Sequence, residues 1–350
     1  MNDHIDLTQL RSIDNIPIRG ITVDQLDVAK TAAHIRRAVE RRRWSGTTDV
    51  QDFWRVTGCV ATDNNELCAT IAGVMCFGHD PQSIFPNAVV SLVHYYGDTA
   101  HSNEVFVRER IGGTVFDQST RLQKHIEDHN PRGQQLLHGS FEREDVEQFP
   151  FAAVREAMIN MLGHRDYTDR LATADVLLYR NWMNLSNPGG LLPGMTVGML
   201  EQVHKSRNPV IAELLRQAGL SEEAGQGIDT ILQEYARAGL PRPIFEDLNG
   251  AFFRVTLQGR AFEAFARTGV YATLSDRQRL ILSILRSAGP LSSAQLTARL
   301  NAEGEPVQAR QILRDLNDAD GLIALGLVEQ RGKSHATRYQ LATTVQHNLF

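Results

Sequence analysis

The sequence predicts a mixed α and β fold in three parts. Apolar residues recur at helical spacing in several stretches, and β-rich stretches bounded by Gly, Pro or Asn lie between them. The C-terminal part changes to short helices followed by a hairpin. Because 350 residues is the length of two or three domains, we expect an N-terminal α/β module over residues 1–145, a central α/β unit over 146–262 and a C-terminal unit over 272–345.

The composition favours a cytoplasmic globular protein. The chain has no apolar run that could span a bilayer and no signal segment at its start. Cys59, Cys68 and Cys76 form neither a C-x-x-C pair nor a zinc quartet, so we expect reduced thiols in the core. A net charge of -5 excludes a protein that coats nucleic acid through bulk charge, but it allows a local basic module.

The N-terminal module is predicted to contain a long helix, then a buried sheet. Thr22 and Gln25 have capping-box spacing, and the stretch "TVDQLDVAKTAAHIRRAVERRR" ends in basic residues that suit the helix dipole. The segments "CATIAGVMCFG" and "NAVVSLVHYYG" are β-rich. A polar helix, "TRLQKHIEDHN", should follow, with His125 and His129 four residues apart. No Glu stands beside the first histidine as in a metalloprotease helix, so we expect both on the surface.

The central unit should open with a helix that contains "EAMINMLGHRDY" at residues 156–167. One face is apolar at Val154, Ala157, Met158, Met161 and Leu162. A second face carries Glu156, Asn160 and His164 at i, i+4 and i+8. A solvated polar face is one explanation, but Asn is unfavourable inside a helix. The other is a metal-bound phosphate site, with Asn160 as an oxygen ligand and Glu156 polarising a water.

Two glycine pairs suggest close backbone approach to a ligand. Gly189 and Gly190 lie in "NPGGLLPG", and Gly225 and Gly227 precede the helical segment "IDTI". A glycine-rich loop at a helix N-terminus presents bare N–H groups to an anion. Either pair alone is more often a turn. Together with Asn160, the pairs indicate a nucleotide phosphate site.

The C-terminal unit is predicted to be a winged helix-turn-helix. Its first helix has a Ser275 to Gln278 capping box, an apolar face and Gly289 as a stop. "LSSAQLTARL" is a short second helix, and "EPVQARQILRDLND" is a third. The apolar face of the third helix is expected at Ala309, Ile312, Leu313 and Leu316. "GLVEQRGKSHATRYQL" follows as a β-hairpin with a basic tip.

Polar residues of this unit are suited to double-stranded DNA. Those of the third helix that could reach base edges and phosphates are Gln308, Arg310, Gln311 and Arg314. Those of the hairpin that could contact backbone phosphates or a minor groove are Arg331, Lys333 and Arg338. Three acidic residues, Asp315, Asp318 and Asp320, keep the unit only mildly basic. A module for dimerisation or protein contact is therefore the alternative.

The order of these motifs resembles that of the histidine-kinase-like (GHKL, or Bergerat) ATPases. "EAMINMLGHRDY" resembles their N-box, while "NPGGL" and "GQGI" occupy the places of their two glycine boxes. The chain is most similar to a bacterial family of RecG-related transcriptional regulators. There "NPGGLLPG", "SRNPVIAELL", "EEAGQGI" and "FFRV" have counterparts in the same order, as does "IAGVMCFGHDPQSIFPNA" upstream.

The resemblance implies a central GHKL-type α/β sandwich that binds ATP with Mg²⁺. Asn160 would be the metal ligand, Glu156 the catalytic base and Asn187 the group facing the adenine amine. The other nucleotide-binding residues would be His164, Gly189, Gly190, Gly225 and Gly227, and residues 191–224 would form a lid. Asn187 stands where the family has Asp, and Leu191 where it has glycine. An uncharged acceptor weakens the hydrogen bond, so we expect ATP binding without efficient hydrolysis.

Further features limit the expected activity. The chain has no counterpart of the AlbA-like domain that usually opens such proteins, so we expect no nuclease site. "GLVEQRGKS" departs from a P-loop in its glycine spacing, so we expect no helicase. Three functions stay open. They are a homodimeric DNA-binding transcriptional regulator that senses ATP, a Mg²⁺-dependent ATPase in DNA repair or genome defence, and a scaffold with a vestigial nucleotide site.

Overall fold

The computed structural model describes residues 12–95, 97, 105–136, 143–221, 227–260, 274–302, 307–319, 321–332 and 337–342. Within these residues the fold is mixed α and β, as predicted, with eleven α-helices and a six-stranded mixed sheet. In this part of the chain no helix combines the length and apolarity needed to cross a membrane.

The helices are α1 Val28–Glu40, α2 Val50–Thr57, α3 Ile71–Phe77, α4 Pro81–Ile84, α5 Val115–His129, α6 Phe151–His164, α7 Pro209–Gln217, α8 Gly227–Arg237, α9 Asp276–Ala288, α10 Ser293–Ala302 and α11 Ala309–Asn317. The strands are β1 Pro17–Thr22, β2 Val60–Asp63, β3 Glu66–Thr70, β4 Val90–Tyr95, β5 Val105–Ile111, β6 Arg132–Leu136, β7 Arg143–Glu147, β8 Ala174–Leu178, β9 Trp182–Pro188, β10 Ile244–Leu248, β11 Phe252–Gln258, β12 Val328–Arg331 and β13 Arg338–Leu341.

The first long helix begins later than the sequence predicts. Thr22 ends β1, and the N-cap of α1 is Asp27, whose Oδ1 accepts from the backbone N–H of Lys30 at 2.9 Å. The predicted capping box at Thr22 was therefore wrong. A 3-10 turn over Val23–Gln25 follows β1, and Leu26 then forms a β-bridge with Gly78, so the backbone is extended directly before the true cap.

The segment "CATIAGVMCFG" was predicted as a strand, but its second half is helix α3. Every residue of α3 is buried, and a buried helix and a buried strand both appear as a continuous apolar run. Thr70 begins the helix, because its Oγ1 accepts from the backbone N–H of Gly73 at 3.1 Å. The prediction of reduced core thiols is confirmed, since Cys59, Cys68 and Cys76 are free and buried.

The six-stranded sheet forms the centre of the described structure. Its strand order is β10-β11-β9-β8-β4-β5, and only the β4–β8 pair is parallel within it. Apolar residues of α5, α6 and α8 share one core with the sheet. Strands β4 and β5 precede residue 146, so one sheet joins segments that the sequence assigns to different modules.

The C-terminal helices α9 to α11 and the β12–β13 hairpin enclose a core of their own. The predicted capping box is present, because Ser275 N–H donates to Gln278 Oε1 and Gln278 N–H donates to Ser275 Oγ. The predicted apolar face of α11 was too wide. Ile312 and Leu316 are buried, but Leu313 is 40% exposed.

Candidate functional site

Helix α6 is held at both ends, which fixes the position of its polar face. At its start, Glu147 Oε2 accepts from the backbone N–H of Phe151 at 2.9 Å. Beyond its end, the fully buried Asn208 donates from Nδ2 to Gly163 O at 3.0 Å and to Arg165 O at 2.7 Å. These bonds satisfy carbonyls that a helix end would otherwise leave without partners.

The polar face of α6 lines a cavity of about 380 Å³. Of the residues predicted to bind nucleotide, the cavity brings together Glu156, Asn160, His164, Asn187, Gly189, Gly190 and Gly227. Gly225 lies outside the described residues. Segments far apart in the chain thus meet around one space.

Gly227 begins α8 directly against the polar face of α6. A Cβ built on it would overlap Glu156 Oε1 and would lie 2.8 Å from Asn160 Nδ2. Any larger residue would therefore displace one of these side chains. The absence of a side chain keeps the start of α8 beside a carboxylate and an amide, where backbone N–H groups can face a ligand.

The loop after β9 is held by a clamp that sequence analysis missed. Arg207 donates from Nη2 to Gly190 O at 2.8 Å and lies 3.6 Å from Asp166 Oδ2. Gly189 has a φ of +87°, and a Cβ there would lie 2.8 Å from Asp166 Cβ. The "SRNP" motif contains Arg207, but its partners are distant in sequence and could not be assigned.

Asn187 closes the cavity on the sheet side. It is 3% exposed at the end of β9, and its Nδ2 donates to Pro188 O at 3.1 Å. Apolar side chains continue this wall, namely Leu185, Ile231, Phe253 and Val255. The cavity therefore combines an apolar wall with a few polar groups, which is typical of a small-molecule site.

The predicted lid, residues 191–224, is described up to residue 221. It contributes apolar side chains to the cavity, including Leu191, Leu192, Met195, Leu200 and Val203. Helix α7 lies within it. Asp14 caps this helix from a distance, because its Oδ2 accepts from the N–H groups of Val210 at 2.9 Å and Ile211 at 3.0 Å.

His164 is uncharged at neutral pH. Burial lowers its pKa to about 4, and the positive charge of Arg207 acts in the same direction. An imidazole on this wall can therefore donate or accept a hydrogen bond without adding a charge to the cavity.

The residues predicted to bind DNA lie on the surface of the C-terminal unit. Gln308, Arg310, Gln311 and Arg314 are exposed. Gln311 also caps α11, since its Oε1 accepts from Gln308 N–H at 2.9 Å. Arg331 and Arg338 are exposed and directly opposite each other in the hairpin, whereas Lys333 lies outside the described residues.

Comparison with known families relates the central part of the chain to ATPases. Residues 172–257 match the family model described as "Putative ATP-dependent DNA helicase recG C-terminal". The match covers β8, β9, α7, α8, β10 and most of β11. It supports a RecG-related family with an ATPase-type domain.

The fold also matches solved structures. The DIP2311 protein from Corynebacterium diphtheriae superposes with a TM-score of 0.56 at 20% identity, over 94% of this chain and 64% of that one. The chain thus spans less than two thirds of the length of this relative. At this identity the likeness concerns the fold alone. No curated protein matches the chain.

Proposed function

We propose that the chain binds ATP with Mg²⁺ in this cavity. We also propose that its C-terminal unit is a winged helix, through which a homodimer binds double-stranded DNA as a transcriptional regulator. The central unit would then be a GHKL-type sandwich within residues 146–262, completed by β4 and β5. The observation that carries the proposal is the approach of Gly227 to Glu156 and Asn160. This approach places the start of α8 beside the amide and the carboxylate of α6.

The residues present fit a metal-bound phosphate. Asn160 would hold Mg²⁺ through its amide oxygen, because Mg²⁺ prefers oxygen ligands. When bound, the ion would neutralise phosphate charge. The glycine at the start of α8 leaves room beside Asn160 for such a group. Backbone N–H groups there would face the phosphates.

The apolar wall would hold the adenine ring, with Asn187 at its polar edge. An amide oxygen can accept a hydrogen bond from the adenine amine, although more weakly than a carboxylate. Because Asn187 is almost fully buried, that bond would form in a low-dielectric environment, which strengthens it. This arrangement supports binding more than turnover.

Thermal denaturation tests the proposal. A ligand that binds only the folded state raises the melting temperature by mass action. We expect Mg-ATP, Mg-ADP and a non-hydrolysable analogue to raise it in the wild type, and the rise to be lost in Asn160→Ala.

The matched control is Asn317→Ala, which changes an exposed asparagine at the end of α11. It should keep the shift caused by nucleotide. No shift of the wild type at millimolar nucleotide would reject ATP binding and favour a scaffold with a vestigial site.

A second candidate is slow ATP hydrolysis with Glu156 as the base for the attacking water. The observation that favours it is a carboxylate only 3% exposed on the cavity wall beside Asn160. Glu156→Gln should then abolish hydrolysis while the nucleotide-dependent melting shift persists. Unchanged turnover in this variant would exclude Glu156 as the base.

DNA binding is supported by two exposed arginines on α11 and by the match to a RecG-related family. Arg310→Gln and Arg314→Gln should each weaken binding and lower the slope of log K against log salt by about 0.9 for each phosphate that the arginine no longer neutralises. Arg279→Gln is the control, because Arg279 is paired with Asp276 on α9. Equal salt slopes in all proteins would argue against α11 as the DNA-binding helix. Light scattering of the complex would give the number of chains bound.

A further inference from the structure

Three histidines meet between β4 and α5, away from the proposed nucleotide site. His94 of β4 faces His125 and His129 of α5, and each offers a ring nitrogen within 4.8 Å of the others. The rings of His125 and His129 stack with centroids 4.2 Å apart. The ring of His94 lies 5.5 Å from the first and 5.3 Å from the second. The sequence-based expectation that His125 and His129 lie on the surface was therefore wrong, because both are half-buried.

Two of the ring nitrogens are buried without a hydrogen-bond partner among the described residues. They are His94 Nδ1 and His125 Nε2. Burying such a group without a partner destabilises the folded protein. A bound ligand would remove this cost, because it would supply the missing partner. A bound cation would accept lone pairs from both nitrogens.

The third histidine is oriented as metal-binding histidines usually are. His129 Nδ1 lies 2.7 Å from His125 O. A backbone carbonyl can only accept, so Nδ1–H donates and the lone pair is on Nε2. A hydrogen bond from the second ring nitrogen to a carbonyl is the common support of a metal-bound imidazole.

We propose that His94, His125 and His129 form a binding site for a divalent transition metal ion of the Zn²⁺ class. Three neutral imidazoles are the ligand set that such ions prefer, and a fourth position stays open for water or an anion. A tetrahedral ion at about 2.0–2.1 Å from each nitrogen separates the nitrogens by about 3.4 Å. Small side-chain rotations would bring the three atoms to this spacing.

The charged residues around the cluster have opposite effects on the pKa values of the histidines. Burial lowers the pKa of His94, and the other two histidines and the positive charge of Arg286 of α9 act in the same direction. Asp128 acts on His125 in the opposite sense, although burial still lowers the pKa of His125 to about 4. Both imidazoles are thus neutral at pH 7 and keep their lone pairs. The positive charge of Arg286 would repel a divalent metal ion, and it would favour an anion as the fourth ligand of that ion.

Cobalt titration of the full chain tests the site. After dialysis against a chelator, one equivalent of Co²⁺ should give the visible absorption of a four-coordinate ion, and Zn²⁺ should displace it. His125→Ala and His129→Ala should each lower the affinity at least tenfold. His79→Ala is the matched control, because His79 is exposed and lies outside the cluster.

Melting temperatures without metal would establish that each variant folds. His129 is the last residue of α5, so we expect its replacement to disturb the fold least. If His125→Ala does not fold, His129→Ala still tests the metal site. Asn160→Ala should bind Co²⁺ as the wild type does, which separates this site from the nucleotide site. The proposal is overturned if the wild type binds no Co²⁺ or Zn²⁺ at micromolar concentration, or if the folded His129→Ala binds them equally well.

Discussion

Gly227 is a residue at which a single added methyl group would disturb the proposed site. In Gly227→Ala the new Cβ would overlap Glu156 Oε1 and crowd Asn160 Nδ2. Both side chains would have to move, so we expect the melting shift caused by Mg-ATP to disappear. Differential scanning fluorimetry with and without nucleotide measures this.

The control for this substitution is Gly198→Ala. Gly198 has an ordinary φ, and its nearest neighbour to an added Cβ is Thr196 Oγ1 at 4.0 Å. That variant should keep the full nucleotide shift. If Gly227→Ala kept it as well, the start of α8 would not contact the ligand.

His164 should make stability depend on pH. Its folded pKa of about 4 lies below the unfolded value of 6.5. Between these values the unfolded state binds a proton that the folded state does not, so acidification favours unfolding. The free energy of unfolding should fall by up to about 1.4 kcal/mol per pH unit from this group as pH drops from 6.5 towards 4.

His164→Gln removes this contribution. Urea denaturation at several pH values between about 7 and 5 would give a shallower decline for the variant than for the wild type. The exposed Asn317 serves as the control, since Asn317→Ala removes no ionisable group and should keep the wild-type slope. Identical slopes for His164→Gln and the wild type would contradict the lowered pKa of His164.

Residues of the two proposed sites differ in how far the sequence could predict them. Glu156 and Asn160 were found because helical periodicity places them on one face of one helix. Arg207 and His94 were missed because each acts through partners far away in the chain. Spacing within a segment carries no information on such partners.

At the scale of elements, helix α7 depends on a cap supplied from another part of the chain. Its own N-cap residue, Asn208, makes no side-chain capping bond, and Asp14 accepts from Val210 and Ile211 instead. Asp14→Ala should lower the free energy of unfolding by about 1–2 kcal/mol, the usual cost of removing a cap.

Asp14→Asn should cost less, because an amide oxygen can still accept. Burial raises the pKa of Asp14, so a buried charge is costly here and its removal offsets part of the loss. Thermal melts of both variants test this, with the exposed Asp24→Ala as control. An equal loss in Asp14→Ala and Asp24→Ala would show that the cap contributes nothing.

The elements that the sequence predicted best have capping residues that are close together in the sequence. The start of α9 follows from Ser275 and Gln278, three residues apart. The start of α1 was wrong because the pairing of Leu26 with Gly78 competes with a local capping box. The helix α3 was mistaken for a strand because its residues are buried all round. Tertiary contacts decide both cases.

At the scale of the whole molecule, the central sheet and the C-terminal unit are in contact. Arg180, between β8 and β9, donates from Nη2 to Ser283 Oγ of α9. Buried Arg286 of the same helix faces the histidine cluster at β4. These contacts join the central unit to α9, the first helix of the unit that is proposed to bind DNA.

Coupling between nucleotide and DNA has a strict thermodynamic test. If Mg-ATP changes the affinity for DNA by some factor, DNA must change the affinity for Mg-ATP by the same factor. We expect a factor of about 5–150, the usual range for coupled sites. DNA affinity measured by fluorescence anisotropy with and without Mg-ATP gives one side of the cycle, and nucleotide affinity with and without DNA gives the other.

Asn160→Ala should bind DNA with one affinity whether or not nucleotide is present. Equal DNA affinities in the wild type would mean that the two sites act independently, and the regulatory part of the proposal would fail while ATP binding could stand.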